Sequence, residues 1–434
     1  MKRKIAFIGA GSMVFTRNLV RDLLTFPAFG DDLEIALCDI SEKNLGYSKS
    51  AVERILKDGG YGAKMTTTTD RRVALEGADG VLTTIAVGKP GDTLVDCGIP
   101  EKYGVTVCVG DTRGPQGIFR YLRTIPAIME IVRDMEKLCP DAVLLNYTNP
   151  MAMICRTIQE ASSITTTGLC HSVQGTAMML ARWIGAPFED ITYLCAGINH
   201  QAHYLNYKWN GKDAYPLIRE KILNDKEIYE SEKVRNEMYL ALNYYVTESS
   251  VHNSEYNAWF RKRPELIEQY LREGSTLTSE KIKSRLDPTG ERRAERMNTW
   301  LAEPFTLERG HEYAAYIFNA IFGDYTIFEF NGNIRNFGLI DNLPHGCCVE
   351  SPVEASRAGL RPIHVGPLPA NLAILNGIHA QIEDMAVHAY LTGDRDLVYQ
   401  CNYFDPNTSS VLSLKEIRAM TDEMFEAGKE WLPI

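Results

Sequence analysis

The opening of the chain restricts its fold more than any other segment. Lys4 to Ile8 is a short β-branched strand, Gly9-Ala10-Gly11-Ser12 breaks it, and Phe15, Leu19 and Leu23 then recur at helical spacing, with Arg17, Arg21 and Asp22 on other faces. A strand that enters a helix through glycines is the start of a βαβ unit whose turn can face a phosphate. Gly9 permits the tight turn, Gly11 lets the backbone approach a pyrophosphate, and the helix N-terminus favours negative charge. Leu33 to Cys38 forms the next strand, and Asp39 closes it about 25 residues beyond Val14, near the spacing at which a carboxylate accepts from ribose hydroxyls. Gly9, Gly11, Ser12 and Asp39 are therefore the candidate dinucleotide set. Asp39 favours NAD over NADP, because a 2′-phosphate would meet like charge. Val14 stands where the third glycine of the fingerprint is expected, which puts close helix–strand packing in question. The competing reading is a glycine turn that binds nothing.

Alternation continues downstream. Leu45 to Leu56 reads as a helix, Gly80 to Val87 as a buried strand broken by Gly88-Lys89-Pro90-Gly91, and Ile118 to Leu138 as a helix stopped before Pro140. Ala142 to Leu145 and Thr165 to Leu169 are further strands, and Met178 to Ile184 is a helix closed by Gly185. The pattern predicts an α/β, Rossmann-like doubly wound parallel sheet. From about residue 195 the texture becomes mainly helical with short, scattered strands, and the segment Gly274 to Arg296 reads as an exposed loop and helix. We therefore divide the chain into a nucleotide-binding unit, 1–194, and a mixed α/β, mainly helical substrate- and metal-binding unit, 195–434. A length of 434 residues accommodates both.

A net charge of −10 is the wrong sign for a surface that neutralises nucleic acid or anionic lipid, so a small-molecule substrate is the expected partner. Lys2-Arg3-Lys4 before the apolar run from Ile5 to Phe15 imitates a signal peptide, but Arg17 interrupts it and no small-residue cleavage site follows. No apolar stretch is long enough to span a bilayer. Ten dispersed cysteines without a C-x-x-C pair argue for reduced thiols and a cytoplasmic address rather than a disulfide or zinc framework.

Several strand ends carry polar groups where ligands of such sheets bind. Asn149-Pro150 follows one strand; as a bare dipeptide it marks a turn, yet the Asn149 amide there can hold a hydroxyl. Cys170-His171 follows another, and Asn199-His200 lies after Cys195-Ala196-Gly197-Ile198. Cys170 and His200 offer a soft and an imidazole ligand, which by softness alone suit zinc or iron, and His203 is a further candidate. Glu248 and His252 add acid and base groups whose bland reading is a solvated loop. Together these residues point to NAD, a divalent metal and a hydroxylated substrate.

Taken in order, Gly9-Ala10-Gly11-Ser12, Asn146-Tyr147-Thr148-Asn149-Pro150-Met151-Ala152, Gly168-Leu169-Cys170-His171-Ser172-Val173-Gln174-Gly175, Ala196-Gly197-Ile198-Asn199-His200, Thr247-Glu248-Ser249-Ser250 and Gly338-Leu339-Ile340-Asp341-Asn342-Leu343-Pro344 resemble glycoside hydrolase family 4. They look most like its bacterial α-galactosidase branch. The resemblance implies a fold shared with lactate and malate dehydrogenases, and a hydrolase with internal redox chemistry outside the two-carboxylate scheme. Hydride moves from the sugar C3 to NAD+, a base takes the acidified C2 proton, the aglycone leaves C1, water adds, and the hydride returns. A divalent metal, manganese in most members, stabilises the enediolate through O2 and O3.

By motif, the resemblance makes Cys170 and His200 the metal ligands, His171 the residue that assists leaving-group departure, and Glu248 the C2 base with Tyr256 its rival. Asp111 matches an acidic position near the centre, and Asn149 one that contacts sugar hydroxyls. Branches acting on phosphorylated sugars carry Asp or Asn at the position of His171, so this chain is expected to take an unphosphorylated α-galactoside such as melibiose. Within the family, α-glucosidase and α-galacturonidase are the alternatives; outside it, a lactate- or malate-type dehydrogenase or an NAD-sensing binding protein. A homodimer or homotetramer is expected. Cys347-Cys348 receives no role beyond packing.

Overall fold

The computed structural model describes residues 2–89, 91–304 and 306–434. Strand β1 (Arg3–Ile8) enters the glycine turn and a helix over Met13–Leu24, as expected. Its side chains alternate between two cores: Ile5 and Phe7 pack with Leu19, Leu23 and Phe318 on one face, Ala6 and Ile8 with Ile118 and Leu122 on the other. With a side-chain period of two, a strand buried on both faces must be apolar throughout.

β1 pairs in parallel with β2 (Leu33–Cys38) on one side and β4 (Gly80–Thr83) on the other; β3 (Lys64–Thr68) lies beyond β2, and β5 (Val143–Asn146) and β6 (Thr166–Gly168) beyond β4. The order β3-β2-β1-β4-β5-β6 reverses direction between β1 and β4. The crevice at the carboxyl ends of those two strands is where such sheets bind ligands.

A separate antiparallel sheet holds β7 (Ile191–Ala196), β8 (His203–Trp209) and β9 (Lys212–Asp213). The expectation of short, scattered strands after residue 195 is corrected by β10 (Phe328–Arg335) and β11 (Cys348–Ser356), which with β12 (Gly359–Pro362) extend the main sheet antiparallel from β6 to nine strands. Strands from either side of residue 195 thus share one sheet. The strand expected through Val87 ends at Thr83, because the chain leaves the sheet there: the Thr84 hydroxyl donates to the Gly9 carbonyl at 2.9 Å and Ile85 N–H to Thr148 Oγ1 at 3.1 Å. Pro90 of the expected break lies outside the described residues.

Two further expectations change. Asp22, placed on an outer face, is fully buried, and its carboxylate takes hydrogen bonds from Arg21 and from Gly310 N–H at 2.8 Å. Val14 does not hold the first helix off the sheet, since Leu19 and Leu23 still reach the core, while Val14 itself packs beside Met13, Tyr47 and Met297. All ten cysteines are free, and Cys347 and Cys348 are buried. Among the described residues, no helix is long and apolar enough to cross a membrane.

Candidate active site

Above the β1/β4 crevice lies a cavity of 1120 Å³ lined by Gly9, Gly11, Ser12, Asp39, Thr84 and Arg293, among others. Gly9 sits at φ +95°, and a Cβ there would come within 2.8 Å of the Thr84 carbonyl. A Cβ on Gly11 would lie 2.5 Å from Asp39 Oδ2. Asp39 itself fastens the turn: Gly11 N–H donates to Oδ2 at 2.8 Å and Ser41 N–H to Oδ1 at 2.9 Å. A carboxylate has about four lone-pair sites, so acceptors remain for ribose hydroxyls. A cradle that a Cβ would fill, at a helix N-terminus, fits the pyrophosphate of a dinucleotide.

A second cavity, of 300 Å³, shares Ser12, Thr84 and Ile85 with the first, so the two adjoin. Asp111, Arg120, Asn149, Cys170 and His171 line it. Asn149 Nδ2 donates to Asp111 Oδ2 at 3.2 Å and the Thr112 hydroxyl to Oδ1 at 2.8 Å, leaving the Asn149 amide oxygen and the remaining carboxylate lone pairs to accept from a sugar hydroxyl. The peptide bond between Asn149 and Pro150 is cis. His171 is half-exposed; its ring packs against Phe15 and Tyr147, and its Nε2 lies 2.7 Å from Glu312, which holds its pKa above the usual imidazole value.

Beside this cavity, ligand atoms of Cys170, His200 and Glu248 all lie within 4.8 Å of one another. Three distant segments bring them there: Cys170 follows β6, His200 lies in the turn between β7 and β8, and Glu248 precedes the helix Ser250–Tyr256. His200 is held in the left-handed region, φ +65°, an uncommon conformation that a β-carbon residue adopts at a cost of about 1 kcal/mol. Burial lowers its pKa to about 4, so at neutral pH it is a neutral imidazole with a lone pair to give. Its Nε2 faces Glu248 at 3.4 Å, and its Nδ1 lies 3.0 Å from the Tyr256 hydroxyl. Burial would raise Glu248, yet His252 and the Ser249 N–H hold it below the usual carboxylate range. Burial, with Glu350 and Glu248 nearby, pushes the Cys170 thiol up, an arrangement that a cation would reverse.

The structure gathers every candidate from the sequence except His203, which is buried with Nδ1 on the Gln201 carbonyl and stands outside the cluster. His252 is no solvated loop residue: its Nδ1 is 2.7 Å from the Tyr256 hydroxyl and 4.0 Å from Asp111. Sequence reading missed the groups that hold these in place. Glu255 accepts from the N–H groups of Cys108, Val109 and Gly110 and so fixes the loop that carries Asp111. Arg113, pinned to Glu383 at 3.0 Å, lies 4.8 Å over the Tyr256 ring. Glu312, Glu255 and Arg113 act across long sequence separations, and no local motif marks them.

A glycine cradle at the β1/β4 reversal, adjoining a hydroxyl-reading cavity and a thiol–imidazole–carboxylate cluster, defines the class: a dinucleotide-type α/β fold with a metal-capable site at the sheet edge. The chain belongs to glycosyl hydrolase family 4, whose family profile matches residues 4–186 and whose C-terminal domain profile matches residues 195–408. It is 38% identical to an alpha-galactosidase of Bacillus subtilis over 99% of both chains. It is 35% identical to an alpha-galactosidase of Rhizobium meliloti, over 99% of this chain and 89% of that one. An alpha-galacturonidase of Thermoanaerobacterium saccharolyticum is 29% identical over 99% of this chain and 96% of its own. Among solved structures, a 6-phospho-alpha-glucosidase from gut microorganisms in complex with NAD and Mn2+ superposes with a TM-score of 0.79 at 18% identity, over 100% of this chain and 99% of that one.

Proposed function

We propose that the protein hydrolyses terminal, unphosphorylated α-D-galactosides such as melibiose, with NAD+ and a divalent metal, manganese first among them. The cluster of Cys170, His200 and Glu248 beside the cavity that adjoins the glycine cradle carries this reading. The two alpha-galactosidases similar over nearly the whole chain support the sugar, and the structural relative in complex with NAD and Mn2+ supports the cofactors. When bound, NAD+ supplies reversible hydride acceptance at the sugar C3, and the metal supplies Lewis acidity at O2 and O3.

Gly9, Gly11, Ser12 and Asp39 hold the dinucleotide, and Cys170 and His200 hold the metal. Asn149 and Asp111 orient the sugar hydroxyls. Glu248, kept ionised beside them, takes the C2 proton. His171, gripped by Glu312, donates a proton to the departing glycosidic oxygen. Tyr256 is the second reading for the base, favoured by its 2.7 Å bond to His252. With Nε2 of His200 turned to the Glu248 side, its proton on Nδ1 donates to the phenol oxygen, and the phenol proton passes to His252 Nδ1.

In this reading residues 1–194 carry the cofactor and residues 195–434 cover the substrate. A reducing, cytoplasmic compartment suits the Cys170 thiolate, and a homo-oligomer is the expected assembly, checked by light scattering. Release of p-nitrophenol from the α-galactoside, with NAD+, Mn2+ and reductant and without a matching rise in NADH, is the expected result. No release by folded protein, or NADH accumulating with each turnover, overturns the proposal. A panel of aryl α-glucosides and α-galacturonides separates the alternatives within the family.

A further inference from the structure

The structure assigns to Arg293 a part in holding the dinucleotide, an inference that rests on the cofactor reading above. Arg293 stands on the helix Glu291–Ala302, 282 residues from Gly11, yet its side chain lines the cavity over the glycine turn. Its Nη2 donates to the Gly11 carbonyl at 3.4 Å and its Nε to Asn44 Oδ1 at 3.1 Å.

Packing fixes that approach. Met297 of the same helix is buried against Met13 and Ala51, on the two helices that flank the turn. Arg54 Nη1 ties the helix end down through the carbonyls of Leu301 and Glu303, at 3.0 and 3.1 Å.

Charge distinguishes Arg293 from the other cations of the lining. Arg71 is paired with Asp134 at 2.7 Å and Glu130 at 3.1 Å, and Arg72 with Asp134 at 3.4 Å. Among the described residues, Arg293 bonds only neutral oxygens with its guanidinium. Asp287 takes the Arg293 backbone N–H, not its guanidinium; a guanidinium with no carboxylate hydrogen-bonded to it, held over a glycine cradle at a helix N-terminus, is complementary to a pyrophosphate. Arg293 therefore pairs with the pyrophosphate of the bound dinucleotide, and its helix clasps the cofactor onto the turn after β1.

The test is direct binding, read by fluorescence for NADH and by calorimetry for ADP-ribose and adenosine, on the full-length protein. Arg293→Met should raise the dissociation constants of NADH and ADP-ribose about tenfold. Arg293→Lys should recover part of that loss, adenosine binding should stay as in the wild type, and the melting temperature without ligand should not move. Wild-type affinity for NADH in Arg293→Met, or an equal loss for adenosine, overturns the clasp, the latter because it marks a collapsed cavity. Failure of the wild type to bind either NADH or ADP-ribose overturns the cofactor reading itself.

Discussion

Cys170 and Glu248 face one space with opposite electrostatic needs. The thiol is pushed up by burial and by nearby carboxylates, whereas Glu248 is held ionised by His252 and the Ser249 N–H. A divalent cation satisfies both at once. Cys170→Ser should therefore lower hydrolysis by at least about a hundredfold and weaken Mn2+ binding, read by electron paramagnetic resonance, while NADH binding survives. Retained hydrolysis would remove the thiol from the site. Glu248→Gln should suppress solvent deuterium exchange at the sugar C2, and exchange that persists there but vanishes in Tyr256→Phe hands the base role to Tyr256. Cys170 was visible in sequence as a polar group at a strand end, because chemistry confines soft and imidazole ligands to few residue types, whereas Glu248 read as a loop acid and Tyr256 entered only through the family resemblance. The supports of the site were not visible. Glu312 reaches His171 from 141 residues away and Glu255 reaches Gly110 from 145, and nothing local to those glutamates distinguishes them from surface acids.

Gly11 shows the same contrast for elements. The strand–turn–helix was legible because a doubly buried strand must be apolar and a tight turn must be glycine. What the turn is fastened to was not, since Asp39 serves the Gly11 N–H as well as facing the cavity. Gly11→Ala places a Cβ 2.5 Å from Asp39 Oδ2, closer than side-chain carbons come to oxygen, so the turn or the carboxylate must move. NADH affinity should fall at least about tenfold and the melting temperature should drop, because the pyrophosphate cradle and its anchor are lost together. An unchanged dissociation constant would show that the cofactor lies elsewhere. β10 and β11 escaped notice for a different reason. Asn331, Asn333, Glu350 and Ser351 interrupt their apolar pattern, yet all four are buried, with the Asn331 amide on the Cys195 carbonyl and the Asn333 amide on Gly168. Tertiary hydrogen bonds replace the alternation that sequence reading relies on.

At the scale of the whole molecule, buried ionisable groups of opposite kind set how stability responds to pH. Asp405 is 1% exposed; Oδ2 accepts from the Thr408 N–H and hydroxyl, Oδ1 has no partner among the described residues, and burial outweighs those bonds to lift the carboxyl to about 6. Glu350 is lifted to about 7, again chiefly by burial. His203 and His379, buried as neutral rings, are lowered to about 4 and about 3. As pH falls from 6.5 toward 4, the unfolded chain protonates both histidines while the fold does not, which costs stability. Over the same range the folded chain protonates both acids while the unfolded chain does not, which restores it. The two pairs oppose each other, and these four groups leave the stability curve nearly flat there. Asp405→Asn removes one member. The cost of an ionised Asp405 is present in full above about pH 6 and gone below its unfolded value of 3.8, so the variant should gain on the wild type as pH rises. The shift corresponds to about 3 kcal/mol between pH 4 and pH 8. Melting curves of both proteins across that range decide the matter: a difference in melting temperature that grows more positive with pH is expected, and one that stays constant would mean that Asp405 remains ionised in the fold throughout.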